Sequence, residues 1–300
     1  GDVSALAAVA HRHGIPLVID AAWGAHLGFH PGLPPHALQA GADALVTSAH
    51  KALPAWSQGA IVLARTTRIG RAQFDAAVEA TATTSPSGAI LASIDAARAL
   101  LQRDGEALLE PVIEAVATAR SRLSTIPGLV VLDGPTVDPT RLVLVLPGTG
   151  ADGNEVEQDL LARGMPVEMA DRDTIVAMVT MADRPEAIDE LAGALAESIH
   201  TRRSVARPVV VSGVWAVDPV TVMSPREAFF AARESVPVER AVGRVSAELI
   251  APYPPGIPVL APGEEVTDAV VAALRAARAA GSRIAYAADP SVNTLDVVAE

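Results

Sequence analysis

The chain has 300 residues, no cysteine and a formal net charge of −12. The lack of cysteine excludes disulfide bonds and thiolate catalysis, and the negative charge argues against nucleic acid or an anionic membrane as a partner. Half of the residues are apolar, enough for a sizeable core at a length that predicts two or three domains. No apolar run reaches the roughly 18–20 residues needed to span a bilayer and no signal peptide is visible, so we expect a cytoplasmic protein.

The first sixty residues predict an α/β pattern. Residues 3–13 predict a helix, because apolar residues recur at helical spacing and Asp2 can cap the first turn. Three short apolar runs follow, at residues 17–20, 43–48 and 59–64, and each has the composition of a buried strand. The first run ends in an aspartate, and the second ends just before a His-Lys pair.

Lys51 is the only lysine among the 23 lysine and arginine residues. An ε-amine can lose its proton and condense with a carbonyl, whereas a guanidinium stays protonated and is a poor nucleophile. We therefore expect Lys51 to be a buried Schiff-base lysine, with Asp20 near it at the end of a neighbouring strand. The alternatives are a leftover surface lysine and a strand-end turn aspartate.

An aspartate beside a lysine imine is the pair that pyridoxal phosphate chemistry requires. The carboxylate keeps the pyridine nitrogen protonated, which makes the ring an electron sink, and the lysine holds the aldehyde until a substrate amine displaces it. Asp20 and Lys51 together therefore predict pyridoxal 5'-phosphate as the cofactor.

Several short motifs along the chain resemble the bacterial ornithine/lysine/arginine decarboxylases, which are fold-type-I pyridoxal phosphate enzymes. The resemblance extends over nearly the whole chain and is weakest between about residues 105 and 205. The motifs are residues 20–26 (DAAWGAH), 48–51 (SAHK), 57–60 (SQGA), 84–87 (TSPS), 91–98 (LASIDAAR), 224–229 (SPREAF), 242–248 (VGRVSAE), 253–258 (YPPGIP) and 262–264 (PGE).

The resemblance implies a set of cofactor-binding residues. Lys51 would hold the cofactor as a Schiff base and Asp20 would face the pyridine nitrogen, with Ser48 and His50 around the phosphate and the lysine. Ala22 would pack on one face of the ring. Trp23 would lie near the phenolic oxygen, although it is open whether it is simply a large core aromatic.

The resemblance also implies roles for four further residues, and each role has a simpler structural alternative. Ser85 and Ser87 would lie near a dimer interface and the neighbouring cofactor, or form an ordinary Ser-Pro turn. Glu248 and Tyr253 would face the basic end of the substrate, or form part of an interdomain elbow.

The histidines raise the separate question of a metal site. Five of the seven histidines lie in the first 40 residues, and His26 and His30 are four residues apart. Their context is a glycine- and proline-rich loop without accompanying acidic ligands, so we predict no metal.

The fold class that the resemblance implies is α/β. Part of a fold-type-I large domain, similar to that of aspartate aminotransferase, would be followed by an α+β small domain and a C-terminal α+β domain. The expected boundaries are 1–66 for the remainder of the cofactor-binding large domain, 67–126 for a helical connection, 127–200 for the small domain, 201–213 for a linker and 214–300 for the C-terminal domain. We expect strands at 129–132, 142–146, 174–180 and 283–287, helices at 153–163, 185–199, 225–233, 239–248 and 265–280, and helices over 68–126 interrupted at Gly88 and Pro111.

The function implied by the resemblance is decarboxylation of arginine, lysine or ornithine to the amine, which feeds polyamine metabolism, in a homodimer or larger homo-oligomer. Two alternatives stay open: another fold-type-I enzyme, such as an aminotransferase or a lyase, and a truncated paralogue without catalytic activity. The second is open because the chain begins at Gly1 in the middle of the family's large domain. We therefore expect a phosphate-cradling glycine/serine loop and a ring-stacking residue to be missing.

Overall fold

The computed structural model describes residues 1–65, 67–209, 213–253 and 256–299, arranged in two compact units. The first unit contains residues 1–126, 131–143 and 177–196, and the second contains 127–130, 144–176 and 197–300. In the described part of the chain, no helix is long and apolar enough to cross a membrane.

The first unit begins with the predicted helix and the three predicted strands. Asp2 caps the helix by accepting a hydrogen bond from the Ala5 amide at 2.9 Å. The strands form one sheet in the order β1-β2-β3, with β1 and β2 parallel and β2 and β3 antiparallel. The elements are α1 (Val3–Arg12), β1 (Val18–Asp20), β2 (Ala44–Ser48), a single turn α2 (Ala49–Ala52) and β3 (Ala60–Ala64).

Two helices follow the sheet, α3 (Arg71–Thr81) and α4 (Gly88–Leu123). The break predicted at Gly88 is confirmed, but the one predicted at Pro111 is wrong, because Pro111 lies inside a continuous 36-residue helix. Proline removes one backbone hydrogen bond there. Val112 next to it is buried, so packing of this turn offsets the lost bond.

The helix α4 holds the turn that carries Lys51. Ala97 and Leu101 of α4 pack in one buried cluster with Ala49 and Leu53, which flank Lys51 in sequence. These four side chains are between 0% and 8% exposed. The position of α2 is therefore set by core packing as well as by the strand before it.

The middle of the chain contains a four-stranded sheet in the order β4-β5-β7-β6. The strands and helices predicted in this part of the chain are confirmed in type, with ends that differ by a few residues. The elements are β4 (Val130–Val131), β5 (Arg141–Val145), α5 (Gly153–Ala162), β6 (Met169–Ala170), β7 (Thr174–Met178) and α6 (Pro185–Thr201).

The C-terminal part of the second unit differs more from the prediction. The helix predicted at 239–248 is wrong beyond its first turn, because Gly243 has a φ of +82° and turns the chain into bridge pairing at Val245 and Ser246. The strands β8 and β11, which pair antiparallel, were not predicted. The elements are α7 (Pro225–Phe230), β8 (Arg233–Pro237), α8 (Val238–Ala241), β9 (Ala251–Tyr253), α9 (Asp268–Ala279), β10 (Arg283–Ala285) and β11 (Thr294–Val298).

Glu248 is a buried carboxylate in this part of the second unit, with the residue 7% exposed. Its two oxygens accept hydrogen bonds from the backbone amides of Ala288 at 2.6 Å and Asp296 at 2.8 Å. Burial raises the pKa of Glu248, against the opposite effect of these two amides. The side chain thus links two parts of the C-terminal segment at the expense of burying a charge.

We predict that Glu248→Ala lowers the free energy of unfolding of the second unit by about 2 kcal/mol at pH 7, because the backbone amides of Ala288 and Asp296 lose their charged acceptor. The raised pKa means that the folded state binds a proton more tightly than the unfolded state. Binding of this proton therefore stabilises the folded state. The stabilisation is complete below the unfolded pKa of about 4.3 and is lost as the pH rises through the folded pKa. Urea titrations in a Trp23→Phe, Trp56→Phe background, where Trp215 is the one remaining tryptophan and reports on the second unit, should show this pH dependence with Glu248 present and not in the variant.

A matched control is Glu239→Ala, which removes an exposed carboxylate paired with the exposed Arg275. Exposed pairs contribute about 0–1 kcal/mol, so this variant should unfold at nearly the parent urea concentration. Equal losses in the two variants would contradict the anchoring role of Glu248.

Candidate active site

The parallel pairing of β1 and β2 places the carboxyl ends of both strands at one edge of the first sheet. In the register, Asp20 lies beside Val46. The pairing continues past the strand, since the Ala21 amide donates to Val46 at 2.8 Å and the Ser48 amide donates to Ala22 at 3.3 Å. Asp20, Val46 and Ser48 lie on the same face, because side chains alternate along a strand.

Asp20 presents an exposed carboxylate at this edge. One oxygen, Oδ1, accepts a hydrogen bond from the Ala22 amide at 2.9 Å, which closes a tight turn after the strand. Among the described residues, none donates a hydrogen bond to Oδ2. One carboxylate oxygen thus orients the group and the other is available to a ligand.

Lys51 lies in the single turn α2, which begins directly after β2. It is half-buried, so the expectation of a buried lysine is wrong, because the residue lies one turn beyond the strand. No carboxylate in the described part of the chain lies within ion-pairing distance of its amine. Within the described residues the amine is therefore not engaged in a salt bridge, which leaves it available to condense with an aldehyde.

His50 is oriented by the start of β3. Its Nδ1 lies 2.8 Å from the carbonyl oxygen of Gly59, and its backbone amide donates to the same oxygen at 3.4 Å. A carbonyl can only accept, so Nδ1 carries a hydrogen in this contact. In the neutral ring, Nε2 is then a hydrogen-bond acceptor.

The loop after Asp20 is held at successive carbonyl groups. Thr47 Oγ1 donates to the Ala21 carbonyl at 2.7 Å, and Arg141 Nη2 donates to the Trp23 carbonyl at 2.6 Å. Ala22 and Trp23 are both half-buried. A Cβ atom added at Gly24 would lie 3.3 Å from Ala21 Cβ, so the loop is closely packed at this point.

A buried polar cluster next to this loop was not found from the sequence. His26 is 2% exposed, and its Nε2 lies 3.0 Å from Asp138 Oδ2 and 3.2 Å from Thr140 Oγ1. Arg141 Nε lies 3.5 Å from the same Asp138 oxygen. Burial raises the pKa of Asp138, but hydrogen bonding and electrostatic attraction from His26 and Arg141 outweigh it and lower the pKa to about 2.

The remaining predicted site residues show no described contact with Asp20 or Lys51. Ser85 is exposed, and the Ser87 side chain caps α4 by accepting from the Ile90 amide at 3.5 Å. Glu248 has both oxygens occupied by backbone amides, as described above, which favours a structural role. Tyr253 is 41% exposed with Arg283 5.5 Å above its ring, and the prolines at 254 and 255 in its motif lie outside the described residues.

A search of the described residues finds no group of three or more histidine, aspartate or glutamate side chains that could hold a metal ion. Three of the five histidines near the start of the chain, His11, His26 and His30, have carboxylate partners instead. His11 lies 2.7 Å from Asp43, and His30 lies 2.8 Å from Glu110.

Two family models match the chain. Orn/Lys/Arg decarboxylase, major domain, matches residues 2–134, and Orn/Lys/Arg decarboxylase, C-terminal domain, matches residues 209–284. The first match contains Asp20 and Lys51, and the second contains Glu248 and Tyr253.

Similar proteins include two named arginine decarboxylases. The one from Halalkalibacterium halodurans is 35% identical over 97% of this chain and 61% of its own length. The one from Bacillus subtilis is 30% identical over 100% of this chain and 63% of its own length. The chain thus spans about three fifths of the length of these relatives.

Solved lysine decarboxylases have the same fold. Lysine decarboxylase A from Pseudomonas aeruginosa matches with a TM-score of 0.71 and 21% identity over 95% of this chain and 53% of that one. The constitutive lysine decarboxylase of Escherichia coli matches with a TM-score of 0.69 and 20% identity over 95% and 55%. The predicted fold class, α/β of fold type I, is confirmed. The chain belongs to the Orn/Lys/Arg decarboxylase family.

Proposed function

We propose that this chain provides the pyridoxal phosphate site of an enzyme that decarboxylates a basic amino acid. The observation that carries the proposal is that Asp20 ends β1 while Lys51, whose amine has no salt bridge in the described part of the chain, follows the parallel neighbour β2 at the same edge of the sheet. A carboxylate with an oxygen to which no described residue donates, and a lysine amine, are two of the groups that the cofactor requires of its protein. The donor set of the site therefore fits pyridoxal phosphate.

When bound, pyridoxal phosphate supplies an aldehyde that condenses with amines and a ring that accepts the electron pair released as CO₂ leaves. Lys51 Nζ would hold the cofactor through its aldehyde, and Asp20 Oδ2 would face the pyridine nitrogen and favour its protonated form. The Ser48 hydroxyl is a donor for the phosphate, and His50 Nε2 can hold or move a proton beside Lys51.

The loop after Asp20 shapes the same site. Ala22 is small enough to let the ring approach the sheet, and the Trp23 indole N–H is a donor for the phenolic oxygen. Ser85 and Ser87 remain candidates for a contact with a neighbouring subunit in a homodimer, and Tyr253 for a contact with substrate. The cytoplasm and polyamine metabolism remain the proposed setting.

Arginine is the substrate that we expect. Four relatives at 30–35% identity over most of this chain are named arginine decarboxylases, and one at 31% is an uncharacterized protein. A named lysine decarboxylase matches over 84% of the chain at 24% identity. An aminotransferase or lyase activity is the alternative among enzymes. The match of residues 209–284 to the decarboxylase C-terminal domain favours decarboxylation.

We predict that the chain develops an absorption band near the visible edge when pyridoxal phosphate is added, and that Lys51→Ala and Lys51→Arg abolish it. The arginine variant keeps the charge but lacks a nucleophilic amine. The control is Lys51→Arg combined with Arg12→Lys, which restores one lysine at an exposed position on α1. A band of parental strength in the control would mean that cofactor binding does not depend on position 51, and absence of a band in the parent chain would support a non-catalytic paralogue.

We predict that Asp20→Asn keeps the absorption band but lowers the rate of CO₂ release from arginine by at least about a hundredfold, because the amide does not hold a proton on the pyridine nitrogen. Manometric or coupled CO₂ assays measure the rate. Asp75→Asn, at an exposed carboxylate on α3, is the control and should retain the parental rate. Equal rates in Asp20→Asn and the parent chain would contradict the role of Asp20.

A further inference from the structure

We propose that His26, Asp138 and Arg141 form a positioning cluster that fixes the loop of residues 21–24 against the strand leading to Lys51. This inference rests on the proposed function, since it assigns positioning residues to the same cofactor site. The cluster is built from two segments that lie more than a hundred residues apart in the sequence. Its three residues, together with Trp23, Thr140 and Val179, belong to the first unit.

The loop is held on one side by β2. The Ser48 amide donates to the Ala22 carbonyl at 3.3 Å, and Thr47 Oγ1 donates to the Ala21 carbonyl at 2.7 Å. These bonds connect the loop to the strand that ends just before the Lys51 turn. The next carbonyl, that of Trp23, accepts a hydrogen bond from Arg141 instead.

The guanidinium of Arg141 holds the loop from the other side, and this residue is 5% exposed. Besides the Trp23 carbonyl at 2.6 Å, it donates to the Val179 carbonyl at 3.1 Å and to Thr140 Oγ1 at 3.0 Å. The rigid planar fork of arginine can satisfy several acceptors at once, which a lysine ammonium on a flexible chain does not do in the same geometry. Arg141 therefore connects the Trp23 carbonyl to the Val179 carbonyl, which comes directly after β7.

Asp138 keeps this buried cation in place. A buried charge without a counter-charge is strongly destabilising, and Asp138 lies beside both Arg141 and His26. The carboxylate is itself oriented by the Thr140 amide at 2.9 Å. His26 lies two residues after the loop, so the Asp138 carboxylate holds the chain at a second point, three residues beyond Trp23.

The variants for the test are Asp138→Asn, which removes the counter-charge with little change of shape, and Arg141→Lys, which keeps the charge but not the fork. The matched control is His11→Gln. It removes the imidazole from another histidine–carboxylate contact, His11 to Asp43 at 2.7 Å against 3.0 Å for His26 to Asp138, at the opposite end of β2 from Lys51.

Hydrogen exchange is measured first, in the full chain without cofactor. We expect the amides of Ala22, Gly24 and Ser48 to exchange about tenfold faster in both variants and at the parental rate in the control. Unchanged exchange in the folded variants, or equal acceleration in His11→Gln, would overturn the proposal. If Asp138→Asn does not fold, the exchange rates of Arg141→Lys decide. If neither variant folds, the cluster is required for folding of the whole unit, and the proposal of a local positioning role is overturned.

The dissociation constant for pyridoxal phosphate, from the absorption band, is measured second. We expect it to rise about tenfold in the two variants and to stay unchanged in the control. Faster exchange with an unchanged dissociation constant would show that the loop position does not affect the cofactor and would overturn the proposal. If the parent chain gives no band, the proposed function fails, and the exchange data alone then decide whether the cluster fixes the loop.

Discussion

The parallel pairing of β1 with β2 is the constraint on which the candidate site depends. A strand and its parallel neighbour end at the same edge of a sheet, so the pairing of Asp20 with Val46 brings an aspartate and the only lysine of the chain to one edge. Neither residue could be brought there by local structure, since 31 residues separate them. A register shift of one residue would turn Asp20 to the other face of the sheet.

Buried charge is handled differently in the two units. In the first unit, Asp138 has cationic and hydrogen-bonding partners that outweigh burial, and its pKa is lowered to about 2. In the second unit, Glu248 has backbone amides but no cation among its described hydrogen-bond partners, and burial raises its pKa. The carboxylate of Asp138 therefore stabilises its unit above about pH 4 and loses this effect as the pH falls towards 2, whereas Glu248 stabilises its unit more as the pH falls.

The sequence predicted the elements whose signals are local. Short apolar runs ending in polar residues predicted β1 and β2, and Asp2 predicted the start of α1, because strand composition and helix caps act within a few residues. The helix expected at 239–248 failed where Gly243 and long-range bridges override a helical pattern. The cluster of His26 with Asp138 has no local signal, since the distance between the two residues in the sequence is bridged only by the fold.

The account rests on an accessible Lys51 amine that condenses with the cofactor aldehyde. The most direct measurement is borohydride reduction of the chain in the presence of pyridoxal phosphate, followed by peptide mass spectrometry. Because the chain has one lysine, the ε-amine of Lys51 and the α-amine of Gly1 are the only primary amines that can be labelled. The account predicts a pyridoxyl group on the peptide that contains Lys51 at near-stoichiometric yield with a small excess of cofactor. Labelling confined to the Gly1 peptide, or no labelling, would contradict it.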